Sequence, residues 1–162
     1  MLLAIDTGNT NITLAAFQED ALLFTWRLAT DPRRMPDEYG LTLVSLFSQK
    51  EISPAQVKAV SLCSVVPPLT QVFEELCQSH FSLTPMVVGA GVRTGIKILY
   101  DNPRDVGADR IVDAAAAYRL YGGPAIIVDF GTATVFDAVS EKAEYLGGAI
   151  APGLTMSAET MV

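Results

Sequence analysis

Short apolar runs, separated by polar residues, recur along the chain and predict an alternation of strands and helices. The first three runs, residues 2–6, 12–17 and 22–28, are joined by short polar connections and predict an antiparallel meander. Residues 31–36 are mostly polar and contain two prolines, so they predict a loop after the meander. The chain therefore opens with a hairpin-rich sheet.

Apolar positions at helical spacing then predict two helices, each followed by a strand. The first helix begins at Asp37, and the second is opened by Pro67 and Pro68, since proline is favoured in the first helical turn. Strand-like runs at 57–66 and 86–88 follow these helices. The predicted order of the first part is three strands, helix, strand, helix, strand.

The second part begins with an irregular segment, residues 89–103, that contains three glycines. A helix is predicted at 106–121, and the glycines at 122–123 end it. Three further strands are predicted at residues 125–129, 133–139 and 143–150. Another helix is expected from Gly153.

The two parts carry similar strand–turn–strand segments, which indicates an internal duplication. A shift of 123 residues places Asp129 on Asp6 and Gly131 on Gly8. In each copy a buried strand ends in aspartate, followed by glycine and small hydroxyl or amide residues. Two unrelated hairpins need not share an aspartate at the strand end. The repeat therefore predicts two domains, spanning residues 1–103 and 104–162.

A turn of this composition is suited to binding phosphate. Glycine lets the backbone approach a ligand closely, and successive N–H groups can form an anion-binding concavity. The aspartate would repel a phosphate by itself, so it is better explained as a ligand for a cation that bridges to the phosphates. The alternative is that both segments are ordinary hairpin turns.

A second group of polar residues occupies residues 100–110. Asn102 and Pro103 predict a helix entry there, with Asp105 as a competing N-cap. Asp109 follows in an early turn, where the helix dipole favours an ionised carboxylate that could act as a general base. Arg110 could pair with an acidic group of a substrate. By spacing alone, an exposed Asp109–Arg110 pair without a chemical role is the favoured alternative.

Charge and composition exclude several classes of function. The chain has 11 basic and 18 acidic residues and a formal charge of −7, with no clustered basic segment, so we expect no nucleic-acid partner. Two cysteines do not make a disulfide framework or a metal-finger pattern, and both are expected to be buried thiols. With no basic leader and no apolar run of about 18 residues, we expect a soluble, cytoplasmic protein without a membrane partner.

The sequence resembles the type III pantothenate kinases, a family of the acetate and sugar kinase/Hsc70/actin superfamily. The matching segments are IDTGNTN at 5–11, WRLAT at 26–30, DEY at 37–39, SVVP at 64–67, YDNPRDVGADRIVDAAAAY at 100–118, DFGTATVFD at 129–137 and YLGGAIAPGL at 145–154. The resemblance implies an α/β fold of duplicated ribonuclease H-like (actin-like ATPase) domains. Because family members are longer, we expect the second domain to be incomplete in this chain, as in a truncated product.

The resemblance also implies a reaction, the ATP-dependent phosphorylation of pantothenate to 4'-phosphopantothenate, which is the first step of coenzyme A biosynthesis. The implied cofactors are ATP, a divalent cation such as magnesium, and a monovalent cation, potassium or ammonium. The implied assembly is a homodimer. One alternative is a non-catalytic nucleotide-binding accessory or regulatory protein, and another is a different kinase or phosphatase of the superfamily. A non-catalytic member should lose Asp109 or a hairpin aspartate, and this chain has all three.

Carried over residue by residue, the resemblance assigns three groups of site residues. The nucleotide would be bound by Asp6, Thr7, Gly8, Asn9, Thr10, Asn11, Ile12, Thr13 and Thr132. Pantothenate would be bound by Tyr100, Gly107, Ala108, Asp109 and Arg110, with Arg110 toward its carboxylate. Asp109 would be the catalytic base and Asp129 would bind the monovalent cation.

Overall fold

The computed structural model describes residues 1–89 and 91–159, and the chain folds into two compact units, Met1–Val88 and Gly89–Val162. The domain boundary expected from the sequence, after residue 103, lies inside the second unit. A compact unit and a repeated domain need not share a boundary, so the division into domains 1–103 and 104–162 stays a prediction.

The first unit is a five-stranded sheet with two helices. Its elements are β1 (Leu2–Thr7), β2 (Asn11–Gln18), β3 (Ala21–Ala29), α1 (Pro36–Ser48), β4 (Ala59–Ser64), α2 (Pro67–Phe81) and β5 (Met86–Val87), with a short 3₁₀ helix at Pro54–Gln56. The strand order is β3-β2-β1-β4-β5, with β1 antiparallel to β2 and parallel to β4. The predicted meander and the element order of this part are confirmed.

Alternate residues of β1 and β2 form the core of the first unit. Leu3 and Ile5 of β1 and Leu14 of β2 are at most 2% exposed and belong to one cluster with apolar residues of α1 and α2. The rings of Tyr39 of α1 and Phe73 of α2 pack against each other within this cluster in a tilted arrangement, with centroids 5.1 Å apart. Each fully buried side chain of this size contributes about 1.5–3 kcal/mol to folding.

The two cysteines are confirmed as buried thiols that form no disulfide. Burial, together with the nearby Glu74 carboxylate, raises the pKa of the Cys77 thiol to about 12. Because the thiolate is the reactive form of cysteine, Cys77 is a chemically inert part of the core.

The second unit is a four-stranded sheet with one long helix. Its elements are β6 (Lys97–Ile98), α3 (Ala108–Tyr121), β7 (Ala125–Phe130), β8 (Ala133–Val139), β9 (Glu144–Pro152) and α4 (Leu154–Glu159). The strand order is β6-β9-β8-β7. Ile111 and Ala114 of α3 pack with Val139 and Tyr145 in a small core on one face of this sheet. In the part of the chain that the structure describes, no helix has the length and apolarity required to cross a bilayer.

The entry to α3 differs from the sequence-based expectation. Pro103 opens a separate 3₁₀ helix, Pro103–Asp105, and the Asn102 side chain accepts a hydrogen bond from the Arg104 N–H at 3.3 Å. The helix α3 begins only at Ala108, with Gly107 as its N-cap. The prediction of a helix entry at Asn102–Pro103 is therefore wrong, because proline and its cap form a turn of their own.

The strand register corrects the alignment of the two repeats. The β1–β2 ladder ends at the pair Thr7–Ile12, whereas the β7–β8 ladder ends at the pair Phe130–Thr134. The second turn is therefore one residue shorter than the first. The sequence overlay, which placed Val135 on Ile12, is wrong beyond the turn, and Thr134 is the structural equivalent of Ile12.

With this register, equivalent positions of the two sheets differ sharply in burial. Leu3 of β1 and Leu14 of β2 are 0% exposed beneath the helices of the first unit. Their equivalents in the second unit, Ile126 and Phe136, are 69% and 40% exposed. The face that α1 and α2 cover in the first unit is thus open to solvent in the second.

Candidate active site

The first hairpin turn connects β1 and β2 and is held by its own backbone and by β3. The Gly8 N–H donates to the Asn11 carbonyl at 3.0 Å. Just beyond β3, the Thr30 N–H donates to the Thr10 carbonyl at 3.0 Å, and the Thr30 hydroxyl donates to the Gly8 carbonyl at 2.6 Å. Sequence reasoning gave Thr30 no role, although it ends the WRLAT segment. It fixes the shape of the turn.

One buried group beneath this turn fits a ligand. Thr7 is 0% exposed, and its Oγ1 has no hydrogen-bond partner among the residues that the structure describes. A buried hydroxyl without a partner costs about 1–3 kcal/mol, so such groups are commonly completed by a ligand or water. Asp6 lies exposed at the adjacent position of β1. The Ile12 side chain is in the core, so only its backbone could contact a nucleotide.

The remaining residues predicted to bind the nucleotide in this unit surround the turn. Asn9, Thr10 and Asn11 are exposed, and Thr13 is half-buried. Thr13 is paired with Asp6 in the β1–β2 ladder. The first unit therefore brings its predicted site residues together at one end of the β1–β2 hairpin.

The second hairpin turn connects β7 and β8 and is rich in oxygen atoms. Asp129 is exposed, and its Oδ2 is 3.6 Å from the position that a Cβ would take at Gly131. The Gly131 N–H donates to the Ala133 carbonyl at 3.0 Å. At Gly153 the chain passes so close that a Cβ would overlap the Thr132 carbonyl. A carboxylate and backbone carbonyls are the ligands that hard cations prefer.

A metal centre built from side chains alone is not present among residues 1–89 and 91–159, since no three His, Cys, Asp or Glu side chains form a suitable group there. A cation at the second turn would therefore depend on Asp129 and on backbone carbonyls. This donor set is compatible with a weakly bound cation, and the assignment of Asp129 stays a prediction.

Asp109 lies in the first turn of α3 and is half-buried. Its Oδ1 accepts a hydrogen bond from the Arg110 N–H at 2.8 Å. Free N–H groups and the positive end of the helix dipole are concentrated at this end of a helix, so a negatively charged ligand or side chain is favourably placed there. Gly107 and Ala108, which precede it, are also half-buried.

Arg110 is held by a buried carboxylate that the sequence analysis did not identify. Its Nε and Nη2 donate to Asp137 Oδ1 at 2.9 and 2.5 Å. The Tyr145 hydroxyl donates to the same oxygen at 2.7 Å. The Arg110 side chain is 13% exposed and Asp137 is 3% exposed. The alternative of an exposed Asp109–Arg110 pair is therefore wrong, because the guanidinium is turned toward the sheet.

This cluster alters the acidity of its members. The hydrogen bond to Asp137 raises the pKa of Arg110 above its ordinary value. Burial, followed by the hydrogen bond to Asp137, raises the pKa of the Tyr145 hydroxyl. The cluster is therefore a guanidinium and a neutral phenol around one carboxylate oxygen at neutral pH. Its signal in the sequence was that Asp137 and Tyr145 lie in the DFGTATVFD and YLGGAIAPGL segments.

Two glycines of β9 make room for this cluster and for Tyr100. At Gly147, whose φ is +111°, a Cβ would lie 3.5 Å from Tyr100 Cε2. At Gly148 a Cβ would lie 2.5 Å from Asp137 Oδ1 and 2.6 Å from Arg110 Nη2. The predicted substrate residues Tyr100 and Arg110 therefore lie against consecutive positions of one strand.

We expect Gly148→Ala to lower the free energy of unfolding of the second unit by about 1–3 kcal/mol, because the added methyl group overlaps the Phe136 carbonyl and the ion pair. Urea unfolding followed by far-ultraviolet circular dichroism measures this. The matched control is Gly131→Ala, where the nearest atom lies 3.6 Å away, and we expect a change within about 0.5 kcal/mol. Equal stability of the two variants would contradict the close approach at Gly148.

The second unit therefore contains the predicted substrate residues, the predicted base and the predicted cation ligand. Asp129 shares a face of the sheet with Asp137, because Ile127 pairs with Asp137 and strand residues two apart point the same way. The predicted nucleotide residue Thr132 also lies in the second unit, whereas Asp6 to Thr13 lie in the first unit.

The family model and two related proteins that match the sequence of this chain are all described as type III pantothenate kinases. The family model described as type III pantothenate kinase matches residues 2–162. The chain is 52% identical over 161 residues to a type III pantothenate kinase of Dehalococcoides mccartyi, and the match covers 99% of this chain and 61% of that protein. It is 53% identical to the type III pantothenate kinase of Moorella thermoacetica, covering 63% of that protein. The chain thus spans a little over three fifths of these relatives.

Solved structures of low sequence identity show the same fold. The Ppx/GppA phosphatase of Aquifex aeolicus in its type II variant is 15% identical with a TM-score of 0.56, over 98% of this chain and 54% of that one. A protein from Porphyromonas gingivalis described as an N-acetylglucosamine kinase is 15% identical with a TM-score of 0.54, over 92% and 47%. The predicted α/β fold of the actin-like ATPase type is confirmed. By the match of its sequence along residues 2–162, the chain belongs to the type III pantothenate kinase family.

Proposed function

We propose that the protein transfers a phosphoryl group from ATP to the primary hydroxyl of pantothenate, giving 4'-phosphopantothenate, the first step of coenzyme A biosynthesis. The observation that carries the proposal is the half-buried Asp109 at the start of α3, beside an Arg110 that is fixed on Asp137. Family membership supports the reaction, and the chain keeps the base and both hairpin aspartates. No observation favours the non-catalytic alternative.

Asp109 is the proposed general base. Its carboxylate accepts the proton of the substrate hydroxyl as that oxygen forms its bond to phosphorus and the bond to the leaving ADP breaks. General base catalysis of this kind contributes about 10²–10⁴-fold to a rate. Phosphoryl transfer otherwise depends mainly on positioning the reactants and on neutralising the charge of the phosphates. One carboxylate is therefore the only side chain that has to take part in proton transfer.

In the first unit, the proposed nucleotide site is the turn Gly8–Asn11 with Thr7 beneath it. The orphaned Thr7 hydroxyl and the N–H groups of the turn fit phosphate oxygens. When bound, ATP supplies the transferred group, and a divalent cation, magnesium by our proposal, neutralises its phosphates. A net charge of −7 does not prevent this, because amide dipoles and cations set the local field.

The proposed pantothenate site consists of Tyr100, Gly107, Ala108, Asp109 and Arg110, with Arg110 toward the carboxylate of the substrate. Strand β9 passes close to Tyr100 at Gly147 and close to Arg110 at Gly148. We also propose that the protein is cytoplasmic and that it forms a homodimer. Analytical ultracentrifugation of the protein would test the homodimer.

The reaction is tested by measuring pantothenate-dependent ATP consumption. Because the chain covers 63% of the Moorella thermoacetica relative, the assay is run on this chain and on a chimera that adds the part of that relative that the match does not cover. We expect the chimera to release ADP and form a product one phosphoryl group heavier than pantothenate. If pantothenate stimulates ATP consumption in neither protein, the proposed function is wrong.

We expect the rate to rise several-fold when potassium or ammonium replaces sodium, because Asp129 and the carbonyls of the second turn form an oxygen-rich cation site. In Asp129→Asn, which removes the charged ligand and keeps the shape, this response should disappear. Initial rates in potassium, ammonium and sodium chloride at equal ionic strength measure it. A rate that is independent of the cation would remove Asp129 from the site.

A further inference from the structure

The buried carboxylate of Asp137 has no part in the reaction as proposed so far. It engages the Nε and Nη2 of Arg110, which form one edge of the planar guanidinium. Arginine has five N–H donors, and Asp137 engages two of them. The other three, which include the pair on the outer Nη1–Nη2 edge, are left to bind a further acceptor. That outer edge has the fork geometry that receives a carboxylate through two parallel hydrogen bonds.

We propose that Asp137, together with Tyr145, is a positioning residue that holds Arg110 in the orientation in which it binds the carboxylate of the substrate. This inference rests on the proposed function, since pantothenate is the substrate that supplies the carboxylate. Asp137 does not contact the substrate itself, and it acts through Arg110. The elements involved are α3, β8 and β9, which all lie in the second unit.

Three features distinguish this arrangement from an ordinary ion pair. Asp137 is 3% exposed, so the interaction is not weakened by solvent as a surface pair would be. Tyr145 donates to the same Oδ1, which spreads the negative charge away from the guanidinium. Gly148 has no side chain, so β9 can approach the pair without displacing it. All three act to hold one orientation of the guanidinium.

A fixed guanidinium benefits substrate binding in a specific way. Arginine has several rotatable bonds, and an unrestrained side chain would lose that freedom when it binds a carboxylate. With Asp137 in place, this ordering is complete before the substrate arrives. Because Asp137 offsets the charge of Arg110, recognition then depends on the geometry of two hydrogen bonds more than on net charge. A substrate without a carboxylate gains nothing from this arrangement.

The first test measures the orientation of Arg110 without any substrate. In this chain, the Nε–H proton of Arg110 should give a distinct NMR signal that exchanges slowly with water. Asp137→Asn keeps the shape of the side chain and weakens its acceptor, so the signal should exchange at least about tenfold faster. An unchanged exchange rate would overturn the positioning role.

The second test compares pantothenate with pantothenol, in which a hydroxymethyl group replaces the carboxylate, using the active chimera. We expect Asp137→Asn to lower kcat/KM for pantothenate about 10–100-fold, mainly through KM, and to leave the value for pantothenol within about twofold, since a charge-assisted fork is lost only for the acid. Tyr145→Phe should give a smaller loss in the same direction. The matched control is Tyr118→Phe, which also removes one hydroxyl hydrogen bond, to the Glu141 carbonyl.

The outcomes separate this inference from the proposed function. Equal losses for both substrates, or a loss in kcat alone, would overturn the positioning role and leave the kinase function standing. If the unsubstituted chimera acts on neither substrate, the proposed function is wrong, and the proposed binding of the substrate carboxylate by Arg110 is wrong as well. The NMR measurement still reports separately whether Asp137 fixes Arg110.

Discussion

Replacing Asp109 with asparagine is expected to lower kcat for pantothenate phosphorylation by about 10²–10⁴-fold, the contribution typical of a general base. Asparagine fills the same volume and can still accept the hydrogen bond from the Arg110 N–H, so the start of α3 should keep its conformation. It cannot accept a proton from the substrate hydroxyl. The loss should therefore fall on kcat, with little change in KM.

The measurement is the steady-state rate of the active chimera, with circular dichroism to confirm that the variant is folded. Asp105→Asn is the matched control, because Asp105 is an exposed aspartate just before α3 that accepts a hydrogen bond from the Asn102 side chain. We expect that control to retain its rate within a few-fold. Near-normal turnover by Asp109→Asn would exclude Asp109 as the base.

Replacing Leu3 with alanine should lower the free energy of unfolding of the first unit by about 2–5 kcal/mol, as large-to-small substitutions in a core commonly do. The same truncation at the equivalent position of the second repeat, Ile126→Ala, should cost less than about 1 kcal/mol in this chain. Both remove comparable aliphatic groups, but Leu3 is 0% exposed and Ile126 is 69% exposed. Only the first leaves a cavity.

Urea unfolding of the 162-residue chain measures both variants. Trp26, the single tryptophan, packs against Phe47 and reports the first unit by fluorescence, while far-ultraviolet circular dichroism also covers the second. A cost for Ile126→Ala similar to that for Leu3→Ala would mean that the apolar face of the second sheet is covered in solution.

Much of the candidate site could be predicted from sequence because its residues lie in short contiguous segments. Asp6 and the turn that follows are consecutive, as are Gly107 to Arg110, and local patterns identify both. Asp137 and Tyr145 could not be placed by spacing, since they lie 27 and 35 residues from Arg110 and are brought to it only by pairing of β8 with β9 and packing of α3.

The alternative that spacing favoured for Arg110, an exposed pair with Asp109, shows the same limit. Neighbouring opposite charges at a helix start are compatible with a solvated pair, and nothing local distinguishes that pair from a buried one. The guanidinium turns inward because a carboxylate, a phenol hydroxyl and the space above Gly148 are available there. Those groups come from two other strands.

Local sequence patterns were sufficient for the order of strands and helices, except for the short strand β6, which lies in the segment 89–103 that was predicted to be irregular. They also identified the two aspartate–glycine turns, because hydrophobic periodicity, prolines and glycines act over a few residues. Tertiary structure alone decided the shorter second turn, the late start of α3 at Ala108, and the pairing of Arg110 with Asp137. These depend on strand register and on contacts between distant segments. Their energies come from backbone pairing and burial that no local pattern encodes.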